Sequence, residues 1–148
     1  MRALLLVLLC FLAGPVLPAP ATAPMLATSY RHGVAVPEFL VSEKLDGVRG
    51  RWDGQRLWTR GGAPVTPPPG FTRGWPGEPM EGELWLGRGR FDEVGALVRR
   101  LDADPRAWRG VRFMVFDLPA QPGPFTGRVV RMRRLVAAAG GLRGWRRR

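Results

Sequence analysis

Apolar and polar positions alternate from Pro37 to Arg60 in the manner of antiparallel strands. The runs FLVSEKL (39–45), VRGRW (48–52) and RLWT (56–59) read as three strands, and Asp53-Gly54 between the last two is a strong hairpin signal. The stretch GGAPVTPPPGFTRGWPGEP (61–79) holds nothing that can be a central strand. EGELWLG (81–87) and RFMVFDL (112–118) predict two further strands. Phe91, Val94, Leu97, Val98 and Leu101 fall at helical spacing, with acids in the first turn, so FDEVGALVRRL (91–101) predicts an amphipathic helix. PFTGRVVRMRRLVAAAGG (124–141) predicts a second helix closed by Gly140, with Val129, Met132, Leu135, Val136 and Ala139 on or near one face. The pattern is that of an α+β fold built on antiparallel strands, without internal repeats.

Ahead of these elements lies an unbroken apolar run, Ala3 to Ala13, preceded by Arg2 and followed by small residues and prolines, with no acid before Glu38. That is the form of a secretory signal peptide over residues 1–23, with Ala19-Pro20-Ala21 or Ala21-Thr22-Ala23 as cleavage sites. The run is short for a membrane span. Export to the periplasm and no stable membrane association after cleavage are the expectations. The single cysteine, Cys10, lies inside the run, which excludes disulfides and thiolate metal sites from the mature chain. Residues 24–139 then form one domain, and 140–148, ending in three arginines, read as a solvated basic tail. Net charge is +11 and no acid follows Asp117, so the chain attracts polyanions, nucleic acid foremost.

Lys44 is the single lysine among 23 lysines and arginines. Arginine supplies charge and a better fork for phosphate, but its pKa above ~12 keeps it from losing a proton and attacking an electrophile. A lone lysine therefore suits a nucleophilic amine. In EKLDGVRG the pattern K-x-D-G-x-R sets Lys44, Asp46, Gly47 and Arg49 at the end of the first strand and the turn after it. Alternation sends Lys44 and Asp46 to the same side, where the carboxylate can orient the amine. Gly47 permits a tight turn, and Arg49 can reach a phosphate.

Downstream come TRGG with Arg60, EGELW with Glu81 and Glu83, and FMVFDLP with Phe116 before Asp117. In order and spacing these blocks resemble the covalent nucleotidyltransferases, and among them the small exported bacterial ATP-dependent DNA ligases: K-x-D-G-x-R is similar to motif I, EGELW to motif III and VFDL to motif IIIa. The resemblance covers roughly residues 25 to 136. It implies an ATP-grasp-like ligase adenylation domain acting with ATP and Mg²⁺ on nicked double-stranded DNA, with catalytic roles for Lys44, as the AMP-accepting nucleophile, and for Asp46. It further implies that Arg49 and Arg60 contact nucleotide and phosphate, that Glu83 acts near ribose and metal, and that Phe116 stacks on adenine. The amine must be uncharged to attack, so neighbouring cations or burial are expected to lower its pKa. A monomer is expected.

The chain departs from the family pattern after motif IIIa. No E-G-x-M block follows Asp117, no second lysine exists to form K-x-K, and no OB-fold sequence is present. The expectation is a partial adenylation domain lacking the OB-fold domain, which adenylylates Lys44 slowly or not at all and does not seal nicks. RNA ligases and capping enzymes share motif I and are an alternative reading. A non-catalytic, basic nucleic-acid-binding protein is another.

Overall fold

A computed structural model describes residues 25, 26, 29, 31–139 and 142–144. The apolar run read as an export signal, Gly140 and the terminal arginines lie outside the described residues. The first hairpin forms where the pattern places it. β1 (Val48–Trp52) and β2 (Leu57–Thr59) pair antiparallel, with Trp52 opposite Leu57. Asp53 closes the turn: Oδ1 accepts the backbone N–H of Gln55 at 2.8 Å and of Arg56 at 2.7 Å, and Oδ2 accepts Trp58 Nε1 at 2.6 Å. Gly54 has φ +103°, and a Cβ there would lie 2.4 Å from the Gly77 carbonyl oxygen, so conformation and space both require glycine.

β3 (Pro64–Val65), β4 (Met80–Trp85), β5 (Arg112–Asp117) and β6 (Leu142–Gly144) complete a sheet of order β3-β2-β1-β4-β5-β6. Every neighbouring pair is antiparallel except β5 and β6, which run parallel. Two segments differ from the sequence reading. FLVSEKL forms no strand: Val36–Glu38 make a 3₁₀ turn opened by Pro37, and residues 40–46 run outside the sheet. Phe39 and Val41 are each 61% exposed, so the local alternation is real but no neighbouring strand receives it. Within the stretch read as a solvated tail, Leu142–Gly144 instead lie along the β5 edge, with Leu142 fully buried. α2 (Phe125–Ala138) carries the chain back across the sheet, and that crossover brings one leucine of an arginine-rich stretch into the core. The proline-rich segment contributes only edge strand β3, with Pro64 as its first residue, the position where a missing N–H is tolerated.

One face of the sheet carries the core. Phe113 on β5 lies across Gly50 of β1 and Gly82 of β4; a Cβ on Gly82 would meet its ring at 2.8 Å and the Met114 carbonyl oxygen at 2.9 Å. Trp75 stacks on Phe113 with centroids 4.9 Å apart. Trp52 meets Trp75 edge-on at 5.2 Å, and Phe71 bridges Trp75 and Trp108. Trp108 is delivered by a 3₁₀ turn, Ala107–Gly110, that the apolar spacing did not signal. Val94 and Val98 of α1 (Phe91–Arg99) and Val129 and Met132 of α2 join the same cluster. α1 stops at Arg99, two residues before the predicted end, leaving Leu101 exposed. Arg131 pairs with Glu78 at 3.0 Å and ties α2 to the loop before β4.

Replacing Gly82 by alanine forces the Phe113 ring or the Met114 carbonyl to move; we expect a loss of about 1–3 kcal/mol, read from urea unfolding midpoints. A second expectation concerns Asp53. Burial opposes ionisation of its carboxyl, but the Arg56, Trp58 and Gln55 hydrogen bonds and the Arg51 charge outweigh it and hold the group below the usual carboxylate range. A depressed pKa stabilises the fold above the unfolded-state value and loses that contribution as pH falls through the folded-state value. Asp53→Ala should thus cost about 1 kcal/mol at pH 7, the exposed setting limiting the effect, and the gap from wild type should narrow below about pH 4.

Candidate functional site

The opposite face of the sheet holds the polar and aromatic residues that the strand alternation keeps out of the core. Cross-strand register sets Arg49 opposite Glu83, Arg51 opposite both Trp58 and Glu81, and Glu83 opposite Met114. Arg49, Glu83, Met114 and Phe116 are all half-buried, while their strand neighbours Gly50, Leu84, Phe113 and Val115 are buried on the other side.

Lys44 and Asp46 stand on the irregular segment that leads into β1, not on a strand end followed by a turn, and both are exposed. Gly47 ties this segment to the sheet by donating its N–H to Glu83 Oε1 at 3.1 Å. Its role is close approach: a Cβ on residue 47 would sit 2.4 Å from the Leu84 carbonyl oxygen and 2.9 Å from Glu83 Cγ. Any side chain would push the segment bearing Lys44 off the strand.

Burial pushes the Glu83 carboxyl above its ordinary value. The Gly47 N–H and the charges of Lys44 and Arg49 act against that rise, and the charge of Asp46 adds to it. Lys44, Asp46, Arg49 and Glu83 therefore share one electrostatic neighbourhood. Arg49 forms an ion pair with Glu81, which is 2% exposed, and its guanidinium lies over the Phe116 ring at 5.1 Å from the centroid. A buried carboxylate thus aims the arginine, and the arginine covers one side of the ring.

Arg60 stands apart in the exposed turn after β2, and no hydrogen bond or ion pair joins it to the other site residues among the described residues. The sequence pattern assigns Glu81 no part in the site; its place two residues before Glu83, on the same strand face, is the available signal. Nor does the pattern mark Arg128, which pairs with Asp117 through Nε at 2.7 Å. Nothing local marks a helical arginine as the partner of a strand residue eleven positions earlier.

Over this region the chain is similar to DNA ligases. It is 33% identical over 109 residues to the DNA ligase of Haemophilus influenzae, a match covering 74% of this chain and 40% of the relative. A solved structure from a structure-function study of Lig E DNA ligases, concerned with DNA binding with a minimal scaffold, is similar with a TM-score of 0.76 and 36% identity, over 83% of this chain and 50% of that one. The chain spans half or less of the length of these relatives. No protein-family model matches it.

The raised Glu83 pKa has a measurable consequence. Its ionised form is penalised in the fold, so this carboxyl is neutral in its effect below the unfolded-state value and costs stability as pH rises through the folded-state value. Glu83→Gln keeps an acceptor for the Gly47 N–H and removes the charge. Thermal unfolding should show the variant more stable than wild type at pH 7 and the two equal below about pH 4.

Proposed function

We propose that this chain carries the adenylation chemistry of an ATP-dependent DNA ligase, with Lys44 as the residue that takes up AMP. The observation that carries the reading is the Gly47 to Glu83 hydrogen bond, which brings the segment bearing the chain's single lysine against the strand face that carries Arg49, Glu83 and Phe116. In this reading the uncharged Lys44 amine attacks the α-phosphate of ATP. A nitrogen–phosphorus bond forms, the bond to the bridging oxygen breaks, and pyrophosphate leaves with that electron pair. Asp46, two residues on, orients the amine and accepts its proton. Arg49 offsets phosphate charge, and exposed Arg60 meets phosphate of nucleotide or DNA. With Arg49 across one face of the Phe116 ring, adenine stacks on the other. The later steps of a ligase, transfer of AMP to the 5′-phosphate at a nick in duplex DNA and its displacement by the adjacent 3′-hydroxyl to join the strand, are not expected of this chain by itself.

Among the described residues no group of three or more histidine, cysteine, aspartate or glutamate side chains could hold a metal ion. Mg²⁺ keeps several waters and binds through one or two carboxylates plus substrate phosphates. Glu83 would hold it, and the ion would supply positive charge against the developing phosphate charge.

The net charge of +11 supports nucleic acid as the partner. The N-terminal apolar run supports export to the periplasm, and among the described residues no helix is long and apolar enough to cross a membrane.

Intact mass of the purified chain after incubation with ATP and Mg²⁺ tests the reading. Wild type should gain the mass of one AMP, slowly and in part, and Lys44→Arg should gain none. A chain that forms no adduct, while Lys44→Ala leaves a salt-dependent DNA affinity intact, would instead be a nucleic-acid-binding module.

A further inference from the structure

The β4–β5 ladder contains an irregularity at the site. Glu81 pairs with Asp117 and Gly82 with Val115, so Phe116 is the extra residue, with no opposite number on β4. A bulged residue is released from the ladder and its side chain is re-aimed, so the direction of the ring depends on what holds the two flanks. Val115 is held in the core at 1% exposure. Asp117 is a carboxylate at 3% exposure, which is tolerable only if its charge is compensated.

That compensation comes from α2. Arg128 donates from Nε to Asp117 Oδ1 at 2.7 Å and from Nη2 to Oδ2 at 3.5 Å, while Oδ1 also accepts the Leu118 N–H at 2.9 Å. Arg128 is itself located: Nη1 donates to the Gly123 carbonyl at 3.0 Å, and the guanidinium lies 5.3 Å from the centre of the Phe125 ring. A two-point fork, fixed at its own base, therefore grips the residue next to the bulge.

We infer that Arg128 is a positioning residue for the nucleotide base: by clamping Asp117 it fixes the direction of the Phe116 ring. This rests on the reading of Phe116 as the adenine contact. Lysine at 128 keeps the charge but presents a single point in place of the fork, so it holds Asp117 without fixing its angle. Arg49 approaches Phe116 from the β1 side, so ring and arginine form one unit whose far end is anchored on α2.

The test uses the full chain with 4-fluorophenylalanine placed at position 116, and ATP titrations of wild type, Arg128→Lys, Phe116→Ala and the double variant. In Arg128→Lys the ¹⁹F resonance should shift or broaden. ATP affinity should fall by up to about tenfold, the worth of one stacking contact, and the double variant should bind no more weakly than Phe116→Ala alone. An unchanged resonance overturns the inference, as does an additive double variant. Should Arg128→Lys fail to fold, the neutral pair Asp117→Asn with Arg128→Gln is read against the same resonance. If Phe116→Ala leaves ATP affinity at the wild-type value, the adenine-contact reading is what fails, and the resonance still judges whether Arg128 directs the ring.

Discussion

The Phe113 ring can lie flat against the sheet only because β1 and β4 each offer a glycine beneath it, Gly50 and Gly82. That seat determines which face becomes the core. With the ring pressed onto the strands, Trp75 stacks on it, Trp52 and Phe71 close around Trp75, and the helices add Val94, Val98, Val129 and Met132 to the same cluster. Phe113, Trp75, Trp52 and Phe71 supply large apolar areas in a short chain, and they supply them on one side. The strand period of two then sends Arg49 and Glu83 to the other side as a geometric consequence.

The site face is held differently from the core face. Its contacts are charged and directional: Gly47 to Glu83, Glu81 to Arg49, Arg49 to Phe116, Arg128 to Asp117. Two of the four carboxylates at or beside this face, Glu81 and Asp117, are buried and matched to arginines, and each such pair fixes an angle as well as offsetting a charge. Among the described residues Glu83 has no such arginine fork of its own, and its burial works against its charge.

What could be read from the chain divides along the range of the signal. The Asp53-Gly54 hairpin, β4, β5 and both helices announce themselves within a dozen residues, through period and turn chemistry. Lys44 stood out by composition, and Arg49 and Glu83 by spacing from it. FLVSEKL was misleading because alternation states that a stretch could be a strand, not that another strand lies beside it. Leu142 was missed for the opposite reason: arginines surround it, and its burial depends on the crossover made by α2. Trp75 sits in a stretch dense in proline and glycine, where no period marks it as central to the core. Glu81 and Arg128 act through partners on other elements, and such pairings are settled by tertiary approach alone.

The exposure of Lys44 gives the whole molecule an unusual chemical profile. Apart from the chain's own amino terminus, its surface offers electrophiles one primary amine, and that amine stands beside the candidate site. Acylation, Schiff-base formation with an aldehyde and reductive methylation, reactions that scatter over most proteins, would here converge on one nitrogen. For a reagent of that kind, the rest of this strongly basic surface is silent.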